Sequence, residues 1–275
     1  MKPDLKPDMR LGYIDYLNCF PLYYHLFEKK PLDGVRIVSA IPGELNRMMA
    51  AKELDMSAVS AASLADIAPD ILLLPDFCLS SVGYVGSVLL YSKDPIEDLN
   101  GKTIGLSRAS ATTVGMLKIL LKKYYGLDPN YIQIGTTPDL AHVDAALIIG
   151  NDAMVAPPAP VRYTYDIGDL WHRKTGFPAV FGVFVIAAQA LEKFPDRVRA
   201  VIASYRKSLE CFHNEKDRVV ARASERYPDI IYDLYQYYDR FRFEFSDELK
   251  EALHFYLEEA AELGILKKIE NLRYY

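Results

Sequence analysis

Residues 11–26 read LGYIDYLNCFPLYYHL, and in this stretch a short apolar strand runs directly into a helix. Residues 11–14 form the strand, and Asn18 and Pro21 stand at the start of the helical pattern. Proline is favoured at the first helical position, and a polar residue just upstream can cap the helix or bind a ligand. Free N–H groups at such a turn hold anions, and open α/β sheets bind ligands at strand-to-helix junctions. The stretch therefore predicts a carboxylate-binding turn.

Strand and helix patterns alternate outward from this turn. The predicted strands are residues 35–39, 56–60, 71–74, 86–91, 102–106, 131–134 and 145–149, and the predicted helices are 42–52, 61–67 and 112–125. Later residues are mainly helical, over 190–212, 217–227 and 246–263, with Ser246 as a helix cap and Gly264 as a stop. This alternation is typical of an α/β protein with parallel, helix-covered sheets.

Two sets of strands and helices predict two lobes. Apolar runs near 87–93 and 180–187 are the candidates for two crossing strands. The expected division is 1–92 and 187–275 for lobe one and 93–186 for lobe two, with a ligand in the cleft between them. The alternative is one doubly wound domain with a helical tail.

Composition narrows the class of partner. The chain has 275 residues, 51% of them hydrophobic, and a formal net charge of -5, which argues against nucleic acid or an anionic membrane as the main partner. Residues 1–10 contain no apolar run of the kind that signal peptides carry, and no stretch reaches the length of a membrane span. We therefore expect a cytoplasmic protein.

The cysteines and histidines predict neither disulfides nor a metal site. Cys19, Cys78 and Cys211 are odd in number and far apart, which fits a reducing compartment. No C-x-x-C or H-E-x-x-H motif is present, and the five histidines lack metal-ligand spacing. The oligomeric state is left open.

Two turns in the first third of the chain carry candidate binding groups. The Asn18 amide can meet a ligand carboxylate or hydroxyl, or it can cap the helix. Cys19 has no base partner nearby, so a small packed residue is favoured over a nucleophile. Gly86 permits close approach of a ligand to the backbone, and Ser87 would point its hydroxyl into the cleft. The sequence lacks the Gly-x-Ser-x-Gly motif that would make Ser87 a nucleophile.

Two further candidates lie in the second lobe. The segment 107–113 follows a strand and opens a helix, so its side chains predict a second anion cradle: Ser107, Arg108, Ser110, Thr112 and Thr113. The alternative is a capped helix with an exposed arginine. Asn151 and Asp152 follow a buried strand, and Asp152 could act as an acid or base or cap the next helix.

Taken together, these segments resemble the chorismate dehydratases of the futalosine route to menaquinone. The resemblance covers most of residues 9–190, and its best parts are YLNCFPLYYHL, PGELNRMMAAKELDMSAVS, VGYVGSVLLYS, SATTVGMLKILL, ALIIGNDAM and YDIGDLWHRKTGFPAVFGVFV. It implies a periplasmic-binding-protein type II-like fold, with a mixed sheet flanked by helices in each lobe and two crossing strands. It also implies a cofactor-free reaction in which chorismate loses water to give 3-[(1-carboxyvinyl)oxy]benzoate.

The resemblance also assigns roles to residues. Asn18 and Ser87 match the family's active-site asparagine and serine, and Ser110, Thr112 and Thr113 match its hydroxyl-rich loop. The family often has arginine in that loop where this chain has Ala111, so Arg108 is the candidate replacement. It usually has Ile-Gly-Asp where this chain has Ile149, Gly150 and Asn151, so that the aspartate is displaced to Asp152.

The matched segments contain no histidine or carboxylate pair suited to be the base. Our hypothesis is that a carboxylate of chorismate takes the proton while Asn18 and Ser87 position it, and that the hydroxyl-rich loop anchors the other carboxylate. The competing functions are a solute-binding protein, the effector-sensing domain of a regulator, and the sister enzyme that forms the dihydroxynaphthoate. That sister enzyme typically opens with a Pro-Cys-Pro-Asn-Asp-Thr segment, which this sequence lacks.

Overall fold

The computed structural model of the chain describes residues 8–135, 140–155 and 161–275. Its strands are β1 Met9–Ile14, β2 Val35–Ala40, β3 Met56–Ser60, β4 Ile71–Ser81, β5 Val88–Ser92, β6 Thr103–Ser107, β7 Asn130–Ile134, β8 Ala145–Ile149, β9 Tyr163–Asp166, β10 Ala179–Ala187 and β11 Phe241–Glu244. Its helices are α1 Phe20–Tyr24, α2 Pro42–Ala50, α3 Leu64–Ile67, α4 Ala111–Ile119, α5 Ile167–Thr175, α6 Ala188–Lys193, α7 Pro195–Asn214, α8 Lys216–Arg226, α9 Leu234–Asp239 and α10 Asp247–Glu262. Wider π-helical turns, His25–Lys29 and Leu120–Tyr124, continue α1 and α4.

The strands form two mixed sheets, one in each lobe. The first has the order β11-β4-β10-β3-β1-β2 and the second has the order β7-β6-β8-β5-β9. In the first sheet β10 runs antiparallel between β3 and β4, and in the second β5 runs antiparallel between β8 and β9. Each of these strands follows directly on a stretch of chain that belongs to the other sheet, so they are the two crossing strands. The predicted two-lobe α/β fold is confirmed.

Strand pairing shows where the chain passes from one lobe to the other, and these positions differ from the predicted lobe boundaries. β5 was expected in lobe one but pairs in the second sheet, and β10 was expected almost entirely in lobe two but pairs in the first. By pairing, the chain crosses between Ser81 and Val88 and returns between Thr175 and Ala179. An apolar run predicts a buried strand, but it does not contain the information about which sheet the strand will join.

The central strands are buried along their whole length. Every residue of β3, β5 and β8 is buried, as expected for strands covered by helices on both faces. The edge strand β11 instead alternates buried and exposed residues. That short alternating strand and the equally short β9 were not predicted.

Local signals at the helix ends agree with most predicted bounds. The Ser246 side chain accepts a hydrogen bond from the Leu249 N–H and caps α10, and Gly264 follows the helix with φ +68°. The helix predicted over 190–212 is two helices, because Pro195 begins α7. Residues 1–7, which make up most of the segment used against a signal peptide, lie outside the described residues.

Candidate active site

A cavity that opens to solvent lies between the two lobes, and its empty space, the open mouth included, is about 480 Å³. The first lobe lines it with Ile14, Tyr16, Asn18, Cys19, Pro42, Val59, Ser60, Leu79, Phe181, Gly182 and Phe241. The second lobe and the crossing segment line it with Val85, Ser87, Val88, Ser110, Thr113, Ile149 and Gly150. The parallel strands β1, β3 and β8 end here, which is where open α/β sheets place their ligands.

The turn after β1 presents two polar atoms without a partner. The Oδ1 atom of Asn18 and the Oη atom of Tyr16 are both buried, and neither has a hydrogen-bond partner in the described part of the chain. The turn itself is held firmly, since the Leu17 N–H donates to Asn151 Oδ1 at 2.9 Å and Tyr238 Oη donates to the Leu17 carbonyl at 3.0 Å. Buried polar atoms normally find partners, so these two are available to a bound molecule.

Ser87 lies at the start of β5 and is completely buried. Its Oγ accepts a hydrogen bond from Tyr237 Oη at 2.9 Å, and its carbonyl accepts one from the Gly150 N–H at 2.8 Å. A serine hydroxyl that accepts a bond still has its own proton to donate. Ser87 can therefore donate to a ligand in the cavity.

Asp166 holds the loop that leads into Ser87. Its carboxylate accepts hydrogen bonds from the N–H groups of Val85 at 3.1 Å, Gly86 at 2.7 Å and Asp169 at 3.0 Å. Burial raises the pKa of Asp166 above its usual range, while these backbone bonds oppose the shift. Gly86 itself has φ +87°, a conformation that favours glycine. Gly86 thus shapes the loop, although it is not among the residues that line the cavity.

The amino terminus of α4 supplies the hydroxyl groups of the second lobe. Ser110 caps this helix: its Oγ accepts from the Thr113 N–H at 3.1 Å and donates to Thr113 Oγ1 at 2.9 Å. Thr113 keeps its hydroxyl proton for a ligand, and the positive end of the helix dipole points the same way. Both residues line the cavity, as a cradle at this position requires.

The other members of the predicted cradle lie outside the cavity lining. Arg108 is exposed, and its backbone carbonyl packs against Gly43 at the start of α2. Ser107 Oγ accepts from the Ala109 N–H at 3.2 Å, which shapes the loop. Thr112 Oγ1 donates to the Phe181 carbonyl at 2.8 Å and accepts from the Ala62 N–H at 3.2 Å. Thr112 therefore joins the two lobes, and the exposed guanidinium of Arg108 supplies no charge to the lining.

Asn151 and Asp152 lie in the turn after β8 and are also absent from the lining. The Asn151 side-chain oxygen accepts the hydrogen bond from the Leu17 N–H, so Asn151 orders the Asn18 turn from the opposite lobe. The Asp152 carboxylate is close enough to Tyr16 to raise the pKa of its phenol. The roles predicted for these residues as direct ligands of a substrate stay predictions.

The cavity is electrically neutral. None of the described residues that line it is a lysine, arginine, histidine, aspartate or glutamate. Burial, with a smaller contribution from Asp152, raises the pKa of Tyr16 well above its usual value. Burial also raises the pKa of the Cys19 thiol, with a smaller contribution from Asp15. Both groups are thus protonated at neutral pH, which makes Cys19 unsuited to be a thiolate nucleophile.

Metal and membrane features are absent from the part of the chain described here. No group of three or more histidine, cysteine, aspartate or glutamate side chains is arranged to hold a metal ion in residues 8–135, 140–155 and 161–275. Over the same ranges, every helix is too short or too polar to cross a membrane.

Several lining residues were not predicted from the sequence. Tyr16 stands two positions before Asn18 in the turn already singled out, so its position was a usable signal. Phe181 and Gly182 come from the crossing strand β10, and Phe241 comes from the unpredicted β11. No local pattern connects these three residues with the first turn.

Comparison with known proteins identifies the family. Residues 9–262 match the profile of the menaquinone biosynthesis family. A chorismate dehydratase from Thermus thermophilus is 34% identical over 191 residues, which cover 63% of this chain and 68% of that protein.

Solved structures with the same fold are more distant in sequence. A protein from Archaeoglobus fulgidus superposes with a TM-score of 0.69 at 19% identity, covering 94% of this chain and 98% of that one. The alkanesulfonate-binding protein of Xanthomonas axonopodis pv. citri gives a TM-score of 0.65 at 13% identity, covering 95% and 94%. These likenesses support the periplasmic-binding-protein type of fold. Because the family profile spans nearly the whole chain, this protein belongs to the menaquinone biosynthesis family.

Proposed function

We propose that this protein is a chorismate dehydratase, a hydro-lyase that converts chorismate to 3-[(1-carboxyvinyl)oxy]benzoate and water in the futalosine route to menaquinone. The observation that carries the proposal is the neutral cavity, which the first lobe lines with the unpartnered Asn18 Oδ1 atom and the crossing segment lines with Ser87. The Thermus relative supports the choice of reaction. As an enzyme of this route, the protein would work in the cytoplasm.

The donors around the cavity suit a substrate with two carboxylates. Thr113 and the start of α4 offer a hydroxyl proton and the positive end of a helix to one carboxylate, and Ser110, whose own proton goes to Thr113 Oγ1, orients that hydroxyl. Asn18, in the first lobe, and Ser87, in the crossing segment, would orient the other carboxylate, Asn18 through its side-chain NH2 group and Ser87 through its hydroxyl proton, while the unpartnered Asn18 Oδ1 atom can accept only from a hydroxyl of the substrate. We assign Asn18, Ser87 and Thr113 to substrate contact, and we assign Gly86, Ser110, Asn151 and Thr112 to shaping the site.

The reaction needs a base for the hydrogen on C3, the ring carbon that carries the enolpyruvyl ether. No ionisable carboxylate or imidazole of the described chain lines the cavity. A carboxylate of chorismate therefore takes the C3 proton, the C–H electron pair forms the last double bond of the aromatic ring, and the C4–O bond breaks. The protein contributes orientation and exclusion of water, which hold the reacting atoms in a productive geometry.

A solute-binding protein is the second candidate, because the alkanesulfonate-binding protein has the same fold. The two functions differ in one observable: a binding protein returns its ligand unchanged. The purified chain is incubated with chorismate while absorbance and mass report a product that is lighter by one water. Binding without conversion would reject the dehydratase and favour the solute-binding protein.

Two variants test the assigned residues. Ser87→Ala removes one donor, and losses of roughly 100- to 1000-fold in kcat are typical when a positioned donor is removed. Asn18→Asp places a negative charge against a dianionic substrate and should abolish turnover. Ser92→Ala is the matched control, because Ser92 lies buried at the other end of β5 and its Oγ donates to the Asp94 carbonyl outside the cavity. Full turnover by either site variant would contradict the assignment.

A further inference from the structure

We infer that Tyr16 is a catalytic residue that donates its phenolic proton to the C4 hydroxyl oxygen of the substrate as that group leaves. The inference rests on the proposed dehydration and adds a general acid to it. Tyr16 was not predicted as a site residue from the sequence, and its role is inferred from its position in the cavity.

The Tyr16 hydroxyl is buried on a well-fixed segment and makes no hydrogen bond with the described residues. The residue is 5% exposed and lines the cavity, and its Oη atom has no hydrogen-bond partner among the described residues. Its backbone is fixed on both sides, since its N–H donates to the Ile14 carbonyl at 2.8 Å and its carbonyl accepts from the Cys19 N–H at 3.0 Å. A buried hydroxyl without a partner costs about 1–3 kcal/mol, so a site that keeps one is expected to use it.

Gly150 holds the Tyr16 ring from the opposite lobe. It has φ +66°, and a Cβ atom at this position would lie 2.5 Å from Cε2 and 2.8 Å from Cζ of the ring. The same glycine donates its N–H to the Ser87 carbonyl. Gly150 therefore contacts the Tyr16 ring and is hydrogen-bonded to Ser87. This links Tyr16 to the residues already assigned to the site.

The chemistry of the lining favours Tyr16 as the acid. Loss of hydroxide is difficult unless its oxygen receives a proton, and the other hydroxyls on the wall belong to Ser60, Ser87, Ser110 and Thr113. A phenol is a far stronger acid than these aliphatic alcohols, and a thiol such as Cys19 is a weak hydrogen-bond donor. Burial raises the pKa of Tyr16 and so keeps it protonated before the reaction. The same shift makes the phenol a weaker acid, but a departing hydroxide is more basic still and takes the proton as the C4–O bond breaks.

The proton balance closes within the complex. A substrate carboxylate takes the proton from C3, the C–H electron pair completes the aromatic ring, and the C4–O electron pair leaves with the oxygen. That oxygen takes the phenolic proton of Tyr16 and becomes water. The proton held by the substrate carboxyl group then returns to Tyr16, so the enzyme is regenerated and no further reactant is consumed.

The test is Tyr16→Phe, which removes only the hydroxyl, measured together with Tyr274→Phe. Tyr274 Oη is also buried and unpartnered in the described chain, but it lies beside β4 away from the cavity. For Tyr16→Phe we expect kcat on chorismate to fall roughly 100-fold or more, the size typical of general acid catalysis. Tyr274→Phe should turn over chorismate at the wild-type rate.

Affinity for the product separates the proposed contact from a carboxylate contact. The product keeps both carboxylates but has lost the C4 hydroxyl, so Tyr16→Phe should bind 3-[(1-carboxyvinyl)oxy]benzoate as the wild type does in calorimetry. Wild-type turnover by Tyr16→Phe would overturn the inference, and so would a loss of product affinity that equals the loss of rate. If the wild type itself fails to convert chorismate, the dehydratase proposal falls, whereas an active wild type with an active Tyr16→Phe removes the role of Tyr16 alone.

Discussion

Gly150→Ala tests the geometry that joins Tyr16 to Ser87. The new Cβ atom would stand 2.5 Å from Cε2 of the Tyr16 ring, whereas carbon atoms in ordinary contact are about 3.5–4.0 Å apart. The ring therefore has to retreat by about 1 Å. A non-glycine residue in the left-handed region costs about 1–2 kcal/mol, and overpacking a dense site costs about 1–3 kcal/mol. We expect the free energy of unfolding to fall by about 2–5 kcal/mol.

The catalytic effect should be separable from this loss of stability. A displacement of about 1 Å in a positioned group can cost roughly 100-fold in rate, so kcat/KM on chorismate should fall by about that factor. Gly101→Ala is the matched control, because Gly101 has φ +69° but no atom within 4 Å of its Cβ position. In this control the free energy of unfolding should fall only by the roughly 1–2 kcal/mol that the backbone conformation costs, and kcat/KM should not change.

The assays are urea unfolding for stability and initial rates for turnover, at a temperature where each variant is folded. A double-mutant cycle with Tyr16→Leu isolates the contact, since the clash disappears when the ring is absent. Wild-type kcat/KM in Gly150→Ala, or equal losses of stability in Gly150→Ala and Gly101→Ala, would refute the proposed coupling between this glycine and the ring.

Three further predictions concern the surroundings of the cavity. Asp166→Asn should lower the free energy of unfolding by about 1–3 kcal/mol and reduce kcat/KM, because three N–H groups lose part of their acceptor; Asp229→Asn, measured by the same urea unfolding, is the exposed control. Thr112→Val should weaken product binding about tenfold or more in calorimetry, because the buried Ala62 N–H and the partly buried Phe181 carbonyl both lose their bond to Thr112, and Thr112→Ser should restore it. The pH profile of kcat/KM should show no basic limb below about pH 10, since the pKa of Tyr16 is raised; a limb near pH 8 would contradict its role as the acid.

Much of the fold could be predicted because the strongest signals are local. The predicted strands 56–60 and 145–149 have the observed bounds of β3 and β8, and both consist of small or apolar residues that are buried on both faces. Pro21 lies at the start of α1, and Ser110 caps α4 through its own side chain. Such signals depend on residues within a few positions of each other, which a single sequence displays directly.

Site residues could be predicted from the sequence only where they lie in a recognisable turn between a strand and a helix. A run of hydroxyl residues predicted the start of α4, but consecutive helical residues point about 100° apart, so Thr113 faces the cavity while Thr112 faces the other lobe. The sequence does not state that orientation before the lobes are placed. For the same reason Arg108 could be read as a charge partner, although its guanidinium is exposed to solvent.

The absence of cationic side chains from the described lining has a chemical consequence for the proposed reaction. A guanidinium beside a carboxylate lowers the carboxylate's pKa by about 1–3 units, and each unit is about 1.4 kcal/mol of lost proton affinity. A substrate carboxylate that must remove a proton from carbon would be weakened as a base by such a partner. Neutral donors such as Ser87, Thr113 and the Asn18 amide orient the same carboxylate with less loss of basicity, and burial raises its pKa further. The cavity therefore suits a substrate that acts as its own base, whereas a protein that only stores a dianion would gain affinity from the arginine that this wall lacks.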